Sequence, residues 1–96
     1  MKYNKDKTEA VKILVSEILE FNQKMPEDRF ADFRIIGGSD PKIDVTFWFF
    51  DENMEPDYDD DDNFQIYLTE KDWHKDYEQS FEDITKKMRE WEGLFG

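Results

Sequence analysis

The chain predicts an α+β fold: a three-stranded antiparallel sheet with an N-terminal and a C-terminal helix on one of its faces, in the order αβββα. Three patterns carry that expectation. Apolar residues fall at helical spacing from Val11 to Met25, two later stretches alternate in the manner of strands, and one apolar stripe steps by threes and fours from Trp73 to Trp91. Short connections favour a meander with both helices on its apolar face.

The first helix is expected over residues 8 to 24. Val11, Leu14, Val15, Ile18, Phe21 or Asn22, and Met25 form one face, with Glu17, Glu20 and Lys24 opposite. Thr8 is its expected N-cap, and Pro26 ends it by pushing the preceding residue out of helical geometry. Phe30 to Ile36 is expected to be a strand, with Phe33 and Ile35 on one face and Arg34 and Ile36 on the other. Gly37 to Pro41 is turn chemistry. Ile43, Val45, Phe47 and Phe49 then alternate with Asp44, Thr46, Trp48 and Phe50, and Phe64, Ile66 and Leu68 with Gln65, Tyr67 and Thr69. Residues 51 to 62 join these two strands as a loop. Thr69 followed by Asp72 is close to a capping box. Trp73, Tyr77, Phe81, Ile84, Met88 and Trp91 make the stripe of the last helix, which Gly93 is expected to close.

Ninety-six residues make a single domain, 1–96, with one core of modest depth. Aromatic residues at 17% let so small a chain bury much area with few side chains. No cysteine is present, which removes disulfide and thiolate chemistry. Met1 to Leu19 has no signal-peptide pattern, and no run approaches the roughly 18 apolar residues of a membrane span. The expected address is cytoplasm, that of a bacterial host cell or of a cell a virus has infected.

Charge is the most uneven property. The formal net charge is −12, yet residues 1 to 24 hold five lysines against four acids, so the excess lies beyond them. Asp51 to Asp62 (DENMEPDYDDDD) carries eight carboxylates and no cation: Asp51, Glu52, Glu55, Asp57, Asp59, Asp60, Asp61 and Asp62. Such density opposes compaction through self-repulsion. It also disfavours direct binding of nucleic acid or of an anionic membrane, both of which need the opposite sign.

Three readings of this run compete. Carboxylates in a hairpin loop keep a small protein soluble. Asp59, Asp61, Asn63 and Glu70 stand at positions 1, 3, 5 and 12 of a calcium-loop spacing, but Phe64 occupies the position where the sharp turn wants Gly, so no dedicated metal site or other cofactor is expected. In the third reading, the carboxylates imitate a phosphate backbone. Duplex DNA shows one charge per about 1.7 Å of axis, and its binders line grooves with Lys and Arg that a protein surface of carboxylates can occupy instead. Asp40, Asp44 and the acids of the last helix, Glu70 to Glu92, extend that field, although Lys71, Lys75, Lys86, Lys87 and Arg89 blunt the helical part.

The second face of the sheet is expected to carry Trp48, Phe50 and Tyr67, with Thr46, Gln65 and Arg34 beside them. Trp, Tyr and Arg are the types enriched in binding hot spots, which makes Trp48 and Tyr67 candidate anchors for a partner, or the contact of a homodimer through this face. Nothing points to catalysis. His74 has no second ligand near it, Ser16, Ser39 and Ser80 lie in no nucleophile motif, and Gly37-Gly38 lacks the further glycine and lysine of a phosphate loop. The chain is therefore expected not to be an enzyme.

The DYDDDD run at Asp57 to Asp62, and the acid-rich aromatic segment from Lys71 to Trp91, resemble the small acidic inhibitors of phages and mobile elements that block nucleic-acid enzymes, the anti-CRISPR and anti-restriction class. The resemblance implies a stoichiometric inhibitor that occupies the guide-RNA or DNA groove of a basic nuclease. An immunity or antitoxin protein that plugs a toxic nuclease would use the same electrostatics. A housekeeping interaction module or homodimer, with acids only for solubility, is the third option.

Overall fold

The computed structural model describes residues 3–59, 62–69 and 77–96. Its elements are α1 (Lys5–Lys24), β1 (Arg29–Ile36), β2 (Lys42–Phe50), β3 (Pro56–Asp57), β4 (Asn63–Tyr67) and α2 (Tyr77–Phe95). The fold is α+β with an antiparallel sheet of four strands, one more than expected.

Helix α1 begins upstream of Thr8. Asn4 is the N-cap, its side chain accepting from the Lys7 N–H at 3.0 Å, and the Thr8 hydroxyl donates to the Asn4 carbonyl from inside the first turn. Asn caps as well as Thr does, and here the chain at Asn4 is already fixed. The Asn4 N–H donates to the Leu68 carbonyl, Tyr3 bridges Thr69, and the Lys7 ammonium donates to the Thr69 carbonyl at 2.8 Å. The helix ends as expected before Met25 and Pro26. Val11, Leu14, Ile18 and Phe21 turn inward along it.

Strand β2 is the centre of the sheet. β1 pairs along one side from Ile36 opposite Lys42 to Arg29 opposite Phe49. On its other side β4 covers Lys42 to Thr46, and β3 covers Phe49 and Phe50. Ile43, Val45 and Phe47 of β2, Ala31 of β1 and Ile66 of β4 are buried against the helices, where Ile84, Met88 and Trp91 of α2 complete the core. Phe47 stands in the middle, with ring centroids of Trp91, Phe21 and Phe64 at 5.4, 5.8 and 6.0 Å, mostly edge to face as ring quadrupoles prefer.

The acidic run is not the single loop that its composition suggests. Asp51 to Glu55 is a tight turn: Asp51 N–H donates to the Glu55 carbonyl, and Asp51 Oδ1 accepts from the N–H groups of Asn53 and Glu55. Met54 closes it in the left-handed region, at φ 62°. Pro56 and Asp57 then pair briefly with β2, and pairing resumes at Asn63. Between those points β2 moves only from Phe49 to Thr46, so Tyr58 and Asp59 after β3, and Asp62 before β4, stand off the ladder as a bulge at the edge. β3 and β4 are two halves of one interrupted edge strand.

Helix α2 runs through Gly93 to Phe95, which corrects the expected stop. Phe95 packs on Trp91 at 5.8 Å and beneath the Arg29 guanidinium, 3.7 Å from its ring centroid. Those contacts outweigh the roughly 1 kcal/mol that a helical glycine costs. Of the expected capping box, Thr69 bridges Tyr3, while Asp72 lies outside the described residues, as does Trp73, the first member of the stripe.

Candidate partner-binding surface

Both helices cover one face of the sheet and leave the other open. The register puts Phe30, Asp32 and Arg34 of β1 beside Trp48, Thr46 and Asp44 of β2, with Asn63, Gln65 and Tyr67 of β4 on the far side. Strand alternation dictates this: each of these residues is out of phase with a buried neighbour. The face expected to carry Trp48, Phe50 and Tyr67 is therefore this one.

It has three zones. At one end is an aromatic cluster: Phe30 lies nearly parallel to Trp48 at 6.4 Å and 6.3 Å from Phe50, while Tyr58, from the bulge, meets Trp48 edge to face at 4.8 Å. In the middle a concavity of about 260 Å³ is lined by Asp32, Arg34, Asp44 and Thr46, and closed by Trp48 and Tyr58. Asn63 fixes its floor, donating to Asp44 Oδ1 at 2.6 Å and to Thr46 Oγ1 at 2.7 Å. At the other end, Lys42 sits 5.6 Å from the Tyr67 ring centroid and donates to Gln65. Tyr67 pairs opposite Lys42, six positions along β2 from Trp48 and so about 20 Å away. The two anchors share a face but do not meet.

The carboxylates divide by role. Glu52, Glu55, Asp57 and Asp59 are exposed at the aromatic end. Asp51 is partly buried and is used by its own turn. Asp62 is turned inward, 5% exposed, and forms a 2.5 Å ion pair with Lys87 of α2. Asp60 and Asp61 lie outside the described residues, as does Glu70 of the calcium-loop spacing; Asn63 of that spacing is held in β4 by Asp44 and Thr46. Among the described residues no three His, Cys, Asp or Glu side chains converge as metal ligands. No helix of the described residues is long and apolar enough to cross a membrane.

Sequence reasoning missed Tyr58 and Asp32 as parts of this surface. Tyr58 was signalled only by being the sole aromatic residue within DYDDDD. Asp32 was signalled by its place in β1, two residues from Arg34 and therefore on the same face. The chain matches no protein-family model, no curated protein and no solved structure.

Proposed function

We propose that this chain is a stoichiometric protein inhibitor whose acidic surface occupies the Lys/Arg-lined groove of a nucleic-acid enzyme, such as a CRISPR effector or a restriction nuclease, in a bacterial cytoplasm. It acts by occupancy and performs no chemistry of its own. One observation carries this reading: the exposed acids of the 51–59 segment stand next to a half-buried aromatic cluster that includes Trp48 and whose outer member, Tyr58, is exposed. Carboxylates steer a cationic groove toward the molecule, and a partly desolvated aromatic patch gives the short-range contact that charge alone lacks.

The dimensions suit such a groove. The Cα trace extends 43 Å along its longest axis and 18 Å along its shortest, against about 34–36 Å for one turn of duplex. The division of the acids leaves Glu52, Glu55, Asp57 and Asp59 for the proposed contact. Asp51 and Asp62 serve the fold, so neutralising them would confuse folding with function.

The test is therefore a variant with Glu52→Gln, Glu55→Gln, Asp57→Asn and Asp59→Asn, which leaves both structural acids in place. Its circular dichroism and melting should match the parent, while inhibition of a basic nuclease at low salt should weaken about tenfold or more. Undiminished inhibition by this folded variant would show that the acids do not make the contact.

A further inference from the structure

We infer that the concavity on the open sheet face receives one arginine residue of the partner, a step that rests on the proposal that the partner is cationic. Three polar groups without a hydrogen-bond partner among the described residues belong to the residues lining the concavity. The Trp48 indole nitrogen is buried with no hydrogen-bond acceptor among the described residues. The Asp32 carboxylate and the Arg34 guanidinium both line the hollow, and neither side chain makes a hydrogen bond or ion pair among the described residues. Asp44, beside them, has one oxygen engaged by Asn63.

Asp32 and Arg34 are exposed and hydrated, so an occupant that displaces that water has to offer a cation to the one and an acceptor to the other. Two carboxylates against one guanidinium leave the lining net negative, and a chain at −12 repels a free anion, which excludes phosphate or a carboxylic acid as the ligand. A guanidinium offers a planar fork of donors that a carboxylate accepts in pairs, and its flat face suits the ring of Tyr58. The same residue's main-chain carbonyl supplies an acceptor for Arg34 and, once Tyr58 moves off the Trp48 ring, for the buried indole N–H. Size agrees: about 260 Å³ lies just under the ~300 Å³ where small-molecule pockets begin, which suits one inserted side chain. Tyr58, exposed at the lip and carried by the bulge, is the group that moves to admit it.

The experiment titrates Nα-acetyl-arginine N-methylamide into the ¹⁵N-labelled full chain in low salt, following the Trp48 indole N–H resonance, assigned by Trp48→Phe. The expected result is a saturable downfield shift. The citrulline analogue, of the same shape but uncharged, should bind about tenfold more weakly or worse, and Asp32→Asn should weaken arginine binding to a similar degree. Glu20→Gln, exposed on α1 across the core from this face, should change the affinity by no more than about twofold, because one charge that far away contributes only a few tenths of a kcal/mol through water. Equal binding of citrulline, no effect of Asp32→Asn, or a loss in Glu20→Gln as large as that in Asp32→Asn would each overturn the inference. Inhibition of a basic enzyme without arginine binding would remove the concavity and leave the inhibitor proposal standing. Arginine binding by a chain that inhibits no basic enzyme would do the reverse.

Discussion

The carboxamide of Asn22 meets both backbone groups of Ala31, donating to its carbonyl and accepting from its N–H, each at 2.8 Å. Ala31 lies on the outer side of β1, where an edge strand presents unpaired groups, so a helix side chain here completes the ladder that a fifth strand would have made. Asn22→Ala strands two half-buried groups, and urea denaturation should show a loss of about 1–3 kcal/mol with an unchanged slope. The pair Asp62–Lys87 invites a similar test with a different logic. Lys87→Met leaves a carboxylate that is 7% exposed without its cation, and should cost about 1–3 kcal/mol, less than a fully buried pair because Lys87 itself is 25% exposed. Adding Asp62→Asn should recover much of that loss; a double variant as unstable as the sum of the two single ones would mean that the two side chains do not couple. Neither role was visible in the sequence. Asn22 sat at an ambiguous point of the helical stripe, and Asp62 is chemically identical to its neighbours in the run. Burial is a tertiary property, and the order of residues around Asp62 does not encode which aspartate the bulge turns inward. The open-face positions of Trp48 and Tyr67 were legible, because strand period alone assigns a face.

At the level of elements, α1, β1, β2 and β4 lie close to where periodicity puts them, since each buries a face that its spacing already marks. β3 does not, because two residues cannot display a period and Pro56 with Asp57 are poor strand formers. Its pairing comes from the turn, which folds Glu55 back onto Asp51 and brings the following residues against β2. That turn contains a local conflict. Met54 is 75% exposed and left-handed, a conformation that costs a residue with a Cβ about 1–2 kcal/mol. Met54→Asn keeps the chain entropy of a non-glycine residue and tolerates that geometry, so it should raise stability by about 0.5–1 kcal/mol in thermal melts, whereas Met54→Val should lower it. In α2 the end was misplaced for a comparable reason. Gly93 signals a stop only when nothing beyond it packs, and here Phe95 packs on Trp91 and Arg29. A Cβ at Gly93 would meet nothing within 4 Å, so Gly93→Ala should stabilise the helix by about 0.5–1 kcal/mol with binding unchanged.

For the whole molecule, the net charge of −12 acts on folding and on association with opposite sign, and salt separates the two. Within the chain the acids repel one another, mostly across solvent, so raising ionic strength should stabilise the fold. Between the chain and a cationic groove they attract, so the same salt should slow association. If the exposed acids steer the encounter while Trp48, Tyr58 and Asp32 hold the docked state, the rate constants should divide accordingly. The on-rate should fall by about tenfold or more between roughly 10 mM and physiological salt, where the screening length shrinks from about 30 to 8 Å, while the off-rate changes little. Neutralising Glu52, Glu55, Asp57 and Asp59 should reproduce most of the salt effect on the on-rate and leave the off-rate near the parent value. Trp48→Phe should act on the off-rate instead, since an indole N–H within the contact matters only after docking. Stopped-flow measurements of both variants across a salt series separate these contributions. An on-rate indifferent to salt would remove steering from the account, even if the complex itself were tight.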